Sequence, residues 1–168
     1  MRQATPLFLI EDDKILLALK KRGFGVGKWN GVGGKPKQGE SIDKAAIREC
    51  QEEISVTPED LSKAAELTFY FPKTKPEWDQ KVTVYLCNQW QGSPKETEEM
   101  APKWFSVEDI PYQKMWADDK FWLPKVLEGD CIEADFYFDD NNAVIKQKVK
   151  TISKGINCRL IPQDFKKL

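Results

Sequence analysis

The sequence predicts an α+β fold in which two main helices pack on a curved mixed β-sheet, and three observations carry that expectation. Short apolar runs of strand type recur from one end of the chain to the other. Two segments, near residues 41–55 and 118–127, show helical spacing instead. Strands and helices also follow one another without a βαβ rhythm or an internal repeat. At 168 residues the chain has the length of one ordinary domain and can bury roughly two thirds of its unfolded surface. Residues 1–152 are read as that domain and 153–168 as a C-terminal extension of unknown role.

Ala4 to Ile10 and Lys14 to Lys20 are β-compatible runs separated by the acidic turn Glu11-Asp12-Asp13, an opening pair of strands. A cluster of glycines follows from Gly23 to Gly39, too dense for a strand or helix interior and suited to a loop whose backbone approaches a ligand. Ser41 is the expected N-cap of a helix ending near Ser55. Ile42, Ala45, Ala46, Cys50 and Ile54 form its apolar stripe, leaving Arg48, Glu49, Glu52 and Glu53 on other faces. Thr57-Pro58-Glu59-Asp60 reads as a capped turn or short helix with Pro58 at its first position. Leu67, Phe69 and Phe71 alternate, as do Val82, Val84 and Leu86, giving two strands joined by the stretch 72–80 in a mostly antiparallel sheet. Lys103 to Phe105 is a short strand, Ser106 caps a turn, and Asp118 to Leu127 is a second helix, bent or restarted at Pro124. Cys131 to Phe138 and Ala143 to Thr151 flank Asp139-Asp140-Asn141-Asn142, the pattern of a closing hairpin.

Composition narrows function by exclusion. With 40% hydrophobic and 32% charged residues the chain belongs among globular proteins. A net charge of -1 gives no footprint for duplex nucleic acid, while a local cationic pocket could still hold a few phosphates. No apolar stretch approaches the roughly 20 residues of a membrane span, and the run Leu7 to Ile10 is too short for a signal-peptide core. A cytoplasmic monomer with reduced thiols is therefore expected. Cys50, Cys87, Cys131 and Cys158 are far apart and the chain has no histidine, which argues against structural zinc.

Glu49, Glu52 and Glu53 are three and four residues apart, so a helix places them at adjacent positions on one surface. Alone, such a triplet is an ordinary solvated helix face. Clustered carboxylates also suit a hard cation, Mg²⁺ or Mn²⁺, which completes its shell from water and substrate phosphates. The surrounding spacing favours the second reading. Gly34, Glu40, Arg48, Glu49, Glu52 and Glu53 stand in the order Gly, five residues, Glu, seven residues, Arg-Glu, two residues, Glu-Glu, within GKPKQGESIDKAAIRECQEEISV. Six required residue types coincide by chance on the order of once in 10⁷ starting positions.

On these residues the chain resembles the Nudix hydrolases. The resemblance implies a Nudix fold, an α/β/α sandwich, with metal held by Glu49, Glu52 and Glu53, the backbone carbonyl of Gly33 and an outlying Glu99. It pairs Arg48 with Glu40 to orient the cluster and leaves Glu53 and Glu52 as alternative general bases. Ser55 stands where the family usually has Gly, which puts the helix C-terminus, and not the metal chemistry, in doubt.

Within that family, KKRGFGVGKWNGVGGK (Lys20 to Lys35), EEMAPKWF and MWADDKFWLP resemble the oxidised purine nucleoside triphosphatases of the 8-oxo-dGTP diphosphatase type. The likeness implies a purine pocket of Thr5, Phe24, Asn30, Phe69, Trp116, Asp118 and Asp119, with Lys20, Gly33, Gly34 and Lys35 toward the phosphates. It implies hydrolysis of 8-oxo-dGTP and 2-hydroxy-dATP to the monophosphate and pyrophosphate. Asp118 and Asp119 could read the base edge by sharing a proton, or could merely open the helix. Ala117 replaces a Pro, the stretch 72–80 is longer than usual, and the extension has no counterpart. The alternatives are a Nudix enzyme for plain dNTPs, ADP-sugars or dinucleoside polyphosphates, and a non-catalytic Nudix binding module.

Overall fold

The computed structural model describes residues 1–153 and 158–159. In chain order the strands are β1 (Arg2–Glu11), β2 (Lys14–Lys20), β3 (Trp29–Asn30) and β4 (Val32–Gly34). Helix α1 (Ile42–Ile54) comes next, followed by β5 (Thr57–Pro58), β6 (Ser62–Tyr70), β7 (Gln80–Cys87), β8 (Trp90–Gln91) and β9 (Met100–Ser106). Helix α2 (Asp119–Leu127), β10 (Cys131–Phe138), β11 (Val144–Ser153) and β12 (Cys158–Arg159) complete the order. The main sheet runs β11-β10-β6-β7-β1-β2-β3, with β4 added to β1, β9 to β2 and β12 to β6. It is mostly antiparallel, as expected, but β1 pairs with β7 and β10 with β6 in parallel.

Alternation along the strands builds two cores, one on each face of the sheet. Phe8, Ile15, Leu17, Val82 and Val84 point to the face covered by Trp122, Leu123 and Val126 of α2. Leu7, Leu9, Leu16, Ala18 and Tyr85 point to the face covered by Ala46, Cys50 and Ile54 of α1. The sheet is thus the middle layer of a sandwich. β1 and β2 pair next to their turn, Ile10 opposite Ile15 and Glu11 opposite Lys14. β9 runs along the whole of β2, and toward the end away from the turn β1 takes β4 while β2 takes β3, so the two halves of the sheet splay and open a cleft.

Local expectations fare unequally. Ser41 caps α1 by accepting from the Lys44 N–H at 3.4 Å, and α2 continues through Pro124 instead of restarting there. The glycine cluster is less of a pure loop than expected, since Val32-Gly33-Gly34 is a strand held by Thr5, Pro6 and Leu7 of β1. Thr57-Pro58 is no helix start. It pairs with Trp90-Gln91, and the Asp60 carboxylate accepts from the Asn88 and Gln89 N–H groups, capping a neighbouring loop rather than a helix of its own. Ser106 occupies the cap of a short 3₁₀ turn, Val107–Asp109, without making a side-chain cap bond.

Cys50 and Cys87 are free, but Cys131 is disulfide-bonded, which corrects the expectation of reduced thiols throughout. Pairing of Cys131 with Ser153 brings the end of β11 alongside it, a proximity linear spacing does not show. The expected boundary at residue 152 falls inside β11, and β12 adds to β6 from the extension. Residues 154–157 and 160–168, the rest of that extension, lie outside the described residues.

Ser55 ends α1 in the left-handed region at φ 62°, its N–H bonded to the Gln51 carbonyl. Glycine adopts that conformation without a Cβ penalty, so Ser55→Gly should stabilise the fold by about 0.5–1 kcal/mol, read as a rise in the melting temperature.

Candidate active site

Arg48 organises the carboxylates of α1. Its Nε and Nη2 donate to the two oxygens of Glu40, both at 2.9 Å, while Nη1 donates to Glu49 at 2.9 Å and Glu52 at 3.1 Å. Nη2 also donates to the Lys35 carbonyl at 3.0 Å. The bidentate Arg48 contact, helped by the Lys37 N–H, holds the Glu40 carboxyl down near 2.

The three glutamates differ sharply in exposure, which their spacing alone does not show. Side-chain exposure falls from 54% at Glu52 to 17% at Glu49, and Glu53 is buried beside the apolar stripe. The rotation of about 100° per residue carries Glu53 toward the sheet, where its Oε2 accepts the Gly33 N–H at 3.0 Å. Burial pushes this carboxyl up to about 8 against the opposing pull of that hydrogen bond, and the charges of Glu49 and Glu99 add to the rise. A Cβ on Gly33 would lie 1.6 Å from the Thr5 carbonyl oxygen, and one on Gly34 would lie 2.4 Å from Glu49 Oε1. Two glycines are therefore what lets β4 fit between β1 and the carboxylates.

Next to this strand the splayed sheet encloses a cavity of about 210 Å³. Thr5, Lys20, Phe24, Asn30, Gly33, Gly34, Phe69, Trp116, Asp118 and Asp119 all line it. Lys35 does not, and its carbonyl instead serves Arg48. Glu99 is ion-paired with Arg22 at 3.0 Å, close enough to Glu53 for its charge to act there. Phe69 packs edge-on against Phe136 and Phe138 and so belongs to both core and cavity. Phe24 is no core residue. It is 57% exposed and stacks on Trp116 at 5.1 Å.

Asp118 and Asp119 are buried, and the helix-cap reading fails for Asp118, whose side chain makes no cap bond. One Asp118 oxygen instead accepts the indole N–H of Trp122 at 2.9 Å. Thr5 Oγ1, Asp118 Oδ1 and Asp119 Oδ2 are buried without a hydrogen-bond partner among the described residues. Burial raises both carboxyls, Asp118 to about 6, and the Asp118 charge drives Asp119 further up. Both carboxyls are therefore held toward the protonated form, in which a carboxylic acid donates as well as accepts.

Residues 1–126 match the NUDIX domain family. The chain belongs to the Nudix family. Over 148 residues it is 36% identical to the oxidized purine nucleoside triphosphate hydrolase of Danio rerio, covering 88% of this chain and 94% of that protein. The Mus musculus protein of the same name is 34% identical over 151 residues, 90% of this chain and 96% of that one. The MutT protein of Bacillus halodurans shares the fold with a TM-score of 0.79 at 22% identity, over 89% of this chain and 98% of that one.

Nudix hydrolases typically use divalent metals, and the donor set of this Nudix helix fits one. Glu49, Glu52 and Glu53 offer hard oxygen ligands, and a buried carboxyl pushed up to about 8 is one whose anion a cation would restore. Among the described residues no three such groups already converge on one point, because Arg48 holds Glu49 and Glu52. Sequence reasoning missed Trp122 as a cavity residue, although its position four after Asp118 on one helix was a usable signal. Gln80, Phe71 and Met100 also line the cavity and carried no local signal, since they arrive from three separate strands or strand ends.

The Asp pair has a measurable consequence. The folded state keeps a proton that an unburied aspartate loses near 3.8, so stability falls as pH rises from there through about 6 and above. Asp119→Asn removes one buried carboxyl. Its melting temperature relative to the parent should be level near pH 4 and higher near pH 8. A gap independent of pH in thermal melts would contradict the shared-proton reading.

Proposed function

We propose that the chain hydrolyses oxidised purine nucleoside triphosphates such as 8-oxo-dGTP and 2-hydroxy-dATP to the monophosphate and pyrophosphate, clearing damaged precursors from the nucleotide pool. The observation that carries this reading is the set of unpartnered buried atoms, Thr5 Oγ1, Asp118 Oδ1 and Asp119 Oδ2, in an aromatic-walled cavity that also reaches Gly33, Gly34 and Lys20. A flat base with donors and acceptors on its edge satisfies those atoms, and stacking on Trp116 contributes roughly 1–3 kcal/mol. The Asn30 Oδ1 is engaged by the Gly31 N–H at 2.7 Å, which directs its amide NH₂ to the base. A proton-sharing Asp pair suits both oxidised guanine and 2-hydroxyadenine, because it can present a donor or an acceptor to either. The names of the Danio rerio and Mus musculus relatives support the same substrate class.

Lys20 meets the phosphates as a cation, and Arg48 fixes the orientation of Glu40, Glu49 and Glu52. Mg²⁺ or Mn²⁺, held by Glu49, Glu52 and Glu53 with the Gly33 carbonyl and Glu99, would neutralise phosphate charge and lower the pKa of the attacking water. Glu53 or Glu52 accepts the proton of that water. We read the catalytic domain as running through all of β11 with β12 added to its sheet, acting as a monomer in the cytoplasm. Among the described residues no helix is long and apolar enough to cross a membrane.

A steady-state panel with Mg²⁺ tests the reading. Against 8-oxo-dGTP, 2-hydroxy-dATP, dGTP, dATP and ADP-ribose, the oxidised purines should lead in kcat/KM by about tenfold or more and yield pyrophosphate. Preference for ADP-ribose or plain dNTPs would overturn the substrate claim. Glu53→Gln should lower kcat by on the order of 10²–10³, and chelation of the divalent ion should abolish turnover in the same assay.

A further inference from the structure

The stretch between β6 and β7 stands outside the roles assigned so far. It is anchored at several points. The Asp79 carboxylate accepts the Phe71 N–H at 2.7 Å, the Thr74 hydroxyl donates to the Asp140 carboxylate at 2.9 Å, and Lys75 Nζ donates to the Asp140 carbonyl at 3.0 Å. These bonds tie the stretch to the end of β6 and to the turn between β10 and β11. They hold a short 3₁₀ turn, Pro76–Trp78, whose indole lies under Lys75 Nζ at 4.5 Å. The Trp78 ring meets Phe24 edge-on at 5.0 Å and 71°, and Phe71 at 5.5 Å and 80°. Both phenylalanines line the base cavity, while Trp78 itself does not.

Phe24 needs such support. It sits between Gly23 and Gly25, whose φ values of 81° and 84° lie in the left-handed region, and it is the most exposed aromatic side chain at the cavity. The turn backbone is held by bonds from the Val26, Gly27 and Lys28 N–H groups to the Gly23, Lys20 and Gly25 carbonyls, so the exposed phenyl ring is left to be positioned by its ring contacts. Those contacts are Trp116 on the cavity side and Trp78 on the outer side.

We propose that Trp78 is a positioning residue for nucleobase recognition: it fixes Phe24 at the mouth of the cavity and so sets the width of the slot beside Trp116. The inference rests on the base-pocket reading above. It assigns to the long β6–β7 connection the task of holding one aromatic ring by its edge. Loss of that support affects binding of the base and leaves the chemistry at α1 untouched, because the ring contacts of Trp78 are with Phe24, Phe71 and Lys75.

The experiment compares kcat and KM for 8-oxo-dGTP in the parent chain, Trp78→Ala, Trp78→Phe, Phe24→Ala and the double variant Phe24→Ala/Trp78→Ala. Trp78→Ala should raise KM about three- to tenfold with kcat within about twofold, and Trp78→Phe, which keeps an aromatic edge, should restore KM to within about twofold. In the Phe24→Ala background, Trp78→Ala should add nothing further to KM. An unchanged KM in Trp78→Ala, a fall confined to kcat, or independent additive effects in the double variant would overturn the proposal. If the parent prefers another nucleotide of the panel, the substrate reading fails. The same comparison run on that nucleotide then decides the role of Trp78.

Discussion

Everything in this molecule turns on the contact between the Gly33-Gly34 strand and its two neighbours. On one side the strand pairs with β1 so closely that a Cβ at Gly33 would overlap the Thr5 carbonyl. On the other its N–H reaches Glu53 and its Cα face meets Glu49. The strand therefore joins the sheet that builds the base cavity to the helix that carries the carboxylates. Thr5 contributes its backbone to the pairing and its buried hydroxyl to the cavity, so one strand pair sets the distance between the cavity wall and the carboxylates of α1.

Two buried acidic centres follow from this arrangement, and they differ in kind. Glu53 is raised by burial, hydrogen-bonded to a backbone N–H and surrounded by further carboxylates, which is a setting that favours a cation. Asp118 and Asp119 are raised by burial and by one another in a cavity with aromatic walls, which is a setting that favours retention of a proton. Under the proposed function, the same residue chemistry would serve metal and base recognition because the neighbours differ. The cost of keeping unpartnered polar atoms in the interior, about 1–3 kcal/mol each, is offset only when a ligand supplies the missing partners.

Much of this was legible in the sequence. The main strand segments, the capped helix from Ser41 to Ser55 and the hairpin at Asp139 to Asn142 could be read from periodicity and turn chemistry, while the ten cavity residues came from the resemblance to a family. What failed did so where partners lie far away in the chain. Thr57-Pro58 became a strand because Trp90-Gln91 was there to pair with it, and Lys35 turned its carbonyl to Arg48. The disulfide at Cys131 was likewise not signalled by the spacing of the cysteines.

The sequence by itself determined which residues could do the chemistry, because metal ligation and phosphate contact demand particular side chains at helical and glycine-rich spacings. Only the tertiary structure decided which of them are buried, and burial is what separates Glu53 from Glu52 and lifts the Asp118–Asp119 pair. Placement of Trp78 against Phe24 belongs to the same class. A residue's solvation and ring contacts are properties of elements folded together, and no local pattern encodes them.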